Sequence, residues 1–102
     1  MKVEVIEFAS YAYESLTVAN VALALTLSKY AQPGGYAIKA FITLEDAQVR
    51  WRIDGTNPTA TEGHLLDAGQ NLSLESAEAV RQFKAIRTGD VSGVIKVSYL
   101  KG

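Results

Sequence analysis

The sequence predicts an all-β fold: an antiparallel β-sandwich or a jelly-roll-like small barrel of six to eight strands, with at most one or two short helical turns. Three observations predict it. Apolar residues recur at every second position in several runs. Turn-forming residues punctuate the chain at a spacing of about 8–12 residues. The connections are too short for crossover helices, so neighbouring strands run antiparallel. The chain has 102 residues, of which 48% are hydrophobic and 21% charged, with a formal charge of −1. That fits one domain over residues 1–102 with one core, and it is too apolar and too weakly charged for disorder.

Taken in order, residues 2–8 are rich in strand formers, and their alternation slips between Val5 and Ile6, as at a bulge. Residues 16–27 fit two patterns. Val18, Val21, Ala22 and Leu25 make a helical stripe, whereas Val21, Leu23, Leu25 and Leu27 make a strand face, and periodicity alone does not choose between them. Gln32-Pro33-Gly34-Gly35 is a turn. Residues 36–45 then set Ile38, Ala40, Ile42 and Leu44 against Lys39, Phe41 and Thr43. After a tight reversal at Glu45-Asp46-Ala47, Val49, Trp51 and Ile53 alternate with Arg50, Arg52 and Asp54, the cleanest half-buried strand in the chain. A long loop follows at Asp54-Gly55-Thr56-Asn57-Pro58-Thr59, and Ala68-Gly69-Gln70 turns again.

Leu72 and Leu74 alternate with Asn71, Ser73 and Glu75. Residues 76–80 form a helical turn with Ser76 as its cap, and residues 82–87 are strand-like with mixed faces. Thr88-Gly89-Asp90 is a turn, and residues 93–100 place Ile95, Val97 and Tyr99 opposite Val94, Lys96 and Ser98. The expected core is Ile38, Ala40, Ile42, Val49, Trp51, Ile53, Leu72, Leu74, Phe83, Ile95 and Val97.

Composition excludes several kinds of chemistry. With no Cys there is no disulfide, thiolate nucleophile or Cys-bound zinc, and one His rules out a histidine-rich metal site. No cofactor or metal is expected, and no catalytic residue stands out. The sole histidine, His64, has Glu62 and Asp67 nearby but no nucleophile motif, so it reads as a loop histidine bonded to backbone. Asp54, Asn57, Thr59, Glu62 and Asp67 offer several oxygens to a calcium ion, but their spacing matches no EF-hand, and the turn reading is preferred.

Arg50, Arg52, Arg81, Lys84 and Arg87 lie on two predicted strands and would form a basic patch if these pair. Trp51 alternates away from them, so base stacking is not supported and nucleic acid is not the favoured partner. The longest low-charge stretch, residues 15–28, is too short to span a bilayer. Two acids fall inside the would-be apolar run of a signal sequence, so no export and no membrane are expected. Tyr11, Tyr13, Tyr30 and Tyr36 cluster in the first third, and tyrosines are enriched at interfaces, so these four are the candidate self-association surface.

The run Arg50-Trp51-Arg52-Ile53-Asp54-Gly55-Thr56-Asn57-Pro58-Thr59, continuing through Gly63-His64-Leu65-Leu66, resembles small virion structural proteins of tailed bacteriophages and prophages. Phe83-Lys84-Ala85-Ile86-Arg87 and Leu16-Thr17-Val18-Ala19 extend the resemblance, which spans residues 16–99. It implies a non-enzymatic β-sandwich or barrel of the particle, decorating the head or sitting at the head–tail region and assembled in the host cytoplasm. Such a protein is expected to self-associate as a trimer or ring and to dock on other virion proteins. The loop of Asp54 to Thr59 with Gly63 and His64 is a structural element in that reading. The same string is also similar to the hairpin of chitobiase-type accessory β-sandwich domains, which implies the alternative of a monomeric carbohydrate- or ligand-binding module.

Overall fold

The computed structural model describes residues 9–33 and 35–101. Its strands are β1 (Ala9–Val18), β2 (Leu23–Ala24), β3 (Ala31–Gln32), β4 (Gly35–Tyr36), β5 (Lys39–Glu45), β6 (Val49–Arg52), β7 (His64–Leu66), β8 (Asn71–Leu74), β9 (Lys84–Arg87) and β10 (Gly93–Lys101). Two short helices interrupt them, α1 (Leu27–Tyr30) and α2 (Ala77–Gln82). Eight strands form two four-stranded antiparallel sheets, ordered β1-β10-β5-β8 and β2-β9-β6-β7, while β3 and β4 make a small hairpin. Among the described residues no strand pairing closes either sheet on itself, and the two sheets pack face to face as a sandwich.

The two orders correspond place for place. β1 leads into β2, β9 into β10, β5 into β6 and β7 into β8, each through an arch of three to five residues that crosses from one sheet to the other. The arches lie side by side and bond to one another. The Arg87 N–H donates to Ala19 O (3.0 Å), Thr88 Oγ1 donates to Gln48 Oε1 (3.0 Å), and Gln48 Nε2 donates to Asp67 Oδ1 (2.6 Å). Backbone pairs at Leu44 with Gly69 (2.8 Å) and Gln70 (3.1 Å) complete the row. Gly93 opens β10 beneath this row. A Cβ there would meet Ala47 O at 2.8 Å and Val49 Cγ1 at 2.9 Å, so only glycine lets the arch pass this close.

The inward faces of both sheets make the core. Val18, Ala40, Ile42, Leu44, Leu74, Ile95, Val97 and Tyr99 from one sheet meet Val49, Leu66 and Ala85 from the other, with Leu25, Val80 and Phe83 filling between. Each large side chain buried this way contributes about 1.5–3 kcal/mol. At the end away from the arches, the strands of the first sheet outrun those of the second. The chain covers the overhang with its long connections: α1 packs against β1, and α2 against β5 and α1.

Several expectations change. Residues 16–27 are neither one helix nor one strand: they finish β1, form β2 and enter α1, because the arch at 19–22 breaks the run. Tyr36 belongs to β4 and not to β5, and Gln82 ends α2 and not a strand. The helix capped by Ser76 runs to Gln82, with Ser76 Oγ accepting from the Ala79 N–H at 3.1 Å. Ile53 is 40% exposed because β6 stops at Arg52 and the alternation stops with it. Trp51 is half-buried, since it pairs across to His64 on the edge strand β7 and covers that edge. Ile38 is also half-buried, in the link before β5. The strand expected over residues 2–8 lies outside the described residues.

Candidate functional site

Three long connections gather at the open end: residues 25–38, 53–63 and 75–83. Their hollows are the candidate sites. The larger is a groove of about 440 Å³ between α1, the β3–β4 hairpin and α2, walled by Leu27, Tyr30, Ala31, Tyr36, Ala37 and Ala77. Glu78 and Arg81 form its polar rim and pair with each other, and Gln82 Nε2 also donates to Glu78 Oε1 at 3.0 Å. Leu27 is 65% exposed and Tyr36 61%, so two large apolar side chains stand open to solvent at this mouth.

Beneath the groove the packing is tight and polar groups are matched. The Tyr30 ring rests 6.5 Å from that of Tyr99, which is fully buried. Tyr99 Oη donates to the Glu14 carboxylate, which also accepts from Thr26 Oγ1 (2.6 Å) and the Thr26 N–H (3.2 Å), tying the start of α1 to β1. Burial pushes the Tyr99 phenol well above its ordinary range, and the carboxylate it donates to pushes it further. Tyr11 Oη pins the hairpin, donating to Gly35 O (2.8 Å) and accepting from the Gln32 N–H (2.9 Å), while Lys101 Nζ lies over its ring at 5.6 Å.

The four tyrosines therefore separate. Tyr11 and Tyr30 are half-buried and hold the fold, whereas Tyr13 and Tyr36 are exposed. Tyr36 opens on the groove, and Tyr13 lies on the outer face of β1 beside Ser98.

The second hollow, about 310 Å³, is polar and is lined by Arg52, Ile53, Asp54, Glu62, Gly63 and His64. Arg52 is bonded to Asp54 through both nitrogens of one guanidinium edge, one of them Nε to Oδ1 at 3.0 Å. That bond, helped by the Thr56 N–H, holds the Asp54 carboxyl down at about 2. His64 is not a loop residue. It opens β7, and its ring lies 4.7 Å from that of Trp51, which in turn stacks at 6.3 Å on Phe83.

The predicted basic patch meets a different fate. β6 and β9 do pair, and the register sets Arg50 beside Ile86 and Arg52 beside Lys84 on the outer face. The 53–63 loop folds back and takes up these cations. Arg50 donates to Gly63 O (2.8 Å) and Ala60 O (3.1 Å), Arg52 to Asp54, and Lys84 to Asn57 Oδ1 (2.9 Å). Pro58 is fully buried, and a Cβ at Gly63, whose φ is +137°, would lie 3.2 Å from Arg50 Cβ and from Trp51 O, so the loop returns too close for any other residue. Arg81 sits on α2 with Glu78, and Arg87 donates to Ser92 Oγ at 3.1 Å.

Of the oxygen groups considered for calcium, Asp54 and Glu62 line the polar hollow together, and the others are engaged elsewhere. Asp54 bonds Arg52, Asn57 bonds Lys84, and Asp67 bonds Gln48 at the arch end. Among the described residues no three His, Cys, Asp or Glu side chains come together as a metal site. No helix among them is long and apolar enough to cross a membrane.

Leu27, Ala77 and Glu78 were not legible as site residues, because the groove exists only where α1 and α2 meet, a contact between segments about 50 residues apart. The sequence set Leu27 on a strand face with Val21, Leu23 and Leu25, whereas it opens α1 and stands exposed. Comparison of the chain with known protein families, with curated proteins and with solved structures gives no match in any of the three. The site is therefore read from its own geometry.

Proposed function

We propose that the chain is a non-enzymatic structural protein of a bacteriophage particle, and that it docks on a neighbouring particle protein through the groove at the open end. The observation that carries the docking is that exposed Leu27 and Tyr36 flank one hollow, in which the Tyr30 ring is backed by buried Tyr99. An apolar side chain of the partner would bury both at about 25 cal/mol per Å² of apolar surface. The Arg81–Glu78 rim then supplies orientation more than affinity. The likeness of residues 50–66 and 83–87 to virion proteins supports the particle. The test is mass spectrometry of particles purified from a producing host. The chain is expected among their proteins, and Leu27→Asp is expected to be lost from them while melting like wild type. Particles that lack the wild-type chain would overturn the reading.

One observation favours a second reading, a saccharide-binding module. The polar hollow sets Arg52, Asp54 and Glu62 beside the His64 ring, which lies 4.7 Å from that of Trp51, so charged hydrogen-bonding groups adjoin one ring face. Trp51 is the only tryptophan, so its fluorescence during glycan titration reports this site directly. An unchanged spectrum across a glycan panel would remove it.

A further inference from the structure

The sheet edges are unequal. β2 has two residues, β7 three and β8 four, and β8 is followed by Glu75, ion-paired to Lys39 at 3.4 Å. β1 has ten residues, pairs among the described residues only with β10, and contains no Pro, Lys or Arg. Its single charge, Glu14, is engaged by Thr26 and Tyr99. Among the described residues no backbone group of another segment bonds the free side of β1. Proteins usually blunt a long edge with charge, proline or a cover, since bare backbone groups template pairing with another chain.

We propose that β1 is a self-association edge, and that its partner is a second copy of this chain added antiparallel to β1. Such a contact is two-fold, so every group on one strand meets the same strand reversed, and exposed charges of one sign would face each other. β1's own outward side chains meet that demand: Tyr13, Ser15 and Thr17 are exposed and uncharged, and the neighbouring cation, Lys96 of β10, is bonded to Ser15 Oγ at 2.9 Å. Nothing on this edge would select a different, charged partner, and a net charge of −1 does little to keep copies apart. The ladder with β10 is irregular between Ser10 and Ala12, which leaves residues 12–18 as the regular stretch. Its midpoint is Ser15. The register therefore sets Ser15 opposite its own copy and Tyr13 opposite Thr17 of the partner subunit, joining two four-stranded sheets into one of eight. The inference stands on the edge alone and is independent of what fills the groove.

Light scattering on the full chain across concentrations tests it. The wild type is expected to form a reversible dimer. Y13K/T17K, which places like charges opposite each other, is expected to weaken the dimer at least tenfold, while Y13E/T17K places opposite charges there and retains it. Leu27→Asp in the groove is expected to leave the dimer unchanged. In the wild type, alternate amides of residues 12–18 should gain protection from exchange as concentration rises. A monomer at every concentration, a trimer or larger ring, equal weakening by both double variants, or concentration-independent exchange would each overturn the proposal.

Discussion

At one end of the sandwich, four connections of three to five residues lie side by side, joined through backbone groups and short polar side chains. At the other end, three connections of nine to fourteen residues run longer, and long side chains tie down two of them: Tyr11 and Glu14 hold residues 25–38, and Arg50, Arg52 and Lys84 hold residues 53–63. The contrast separates two tasks. Short arches lose little conformational entropy on closing and leave no room for variation, so they set the register of both sheets. Long connections held by one or two bonds can open locally without unfolding the sheets, and such segments commonly carry binding surfaces. Both hollows are at this second end.

Two glycines, one from each end, give the largest contrast. Gly93→Ala drives a methyl against a backbone carbonyl in the arch row and should cost about 3 kcal/mol, or a fall in Tm of roughly 10–20 °C. Gly35→Ala in the hairpin meets nothing within 4 Å and should change stability by less than about 0.5 kcal/mol. Equal effects in thermal melts would break the distinction between the ends.

Alkaline titration sharpens it next. The Tyr99 phenol stays protonated in the fold above its ordinary 10.0, whereas the unfolded chain ionises there. Its contribution is thus complete below pH 10 and is lost as pH rises further. Tm should fall between pH 10 and 11, and less steeply in Tyr99→Phe, which has nothing to ionise.

Tyr11→Phe removes the two bonds that pin the hairpin, a loss of about 1–2 kcal/mol that is confined to the open end. Exchange of the Gln32 amide should accelerate at least tenfold while amides of β6 and β9 keep their rates. The smallest effect concerns the exposed Asp54–Arg52 pair. Carboxyl resonances followed by NMR should show Asp54 still ionised at pH 3, with its small contribution lost only as pH falls toward 2. In Arg52→Gln the same carboxyl should titrate near 3.8.

The arch end was largely readable from sequence. Asp46, at φ 77°, and Gly69, at φ 92°, are residues that tolerate left-handed backbone, and alternation on either side of them fixed which strand faces lie inward. What alternation could not say is that these turns cross between sheets instead of closing hairpins, because both connections join strands of the same pattern. The open end was mostly illegible. Tyr30 and Tyr36 were visible as candidate interface tyrosines, but the groove depends on α1 meeting α2 over the overhanging end of the first sheet. The arginines of β6 were visible as a patch, yet their partners, the carbonyls of Ala60 and Gly63, carry no sequence signal. Contacts made to backbone by a folded loop are set by the loop's path and not by residue type.

The claim that one end is a fixed frame and the other a locally opening surface is tested most directly by native-state hydrogen exchange across the whole chain. Amides of the arch row at Leu44, Gly69, Gln70 and Arg87 should exchange slowest, near the rate of global unfolding. Those of Tyr30, Gln32 and Ala37 should exchange at least about a hundredfold faster through local opening. Uniform protection of both ends, or faster exchange in the arches than around the groove, would contradict it.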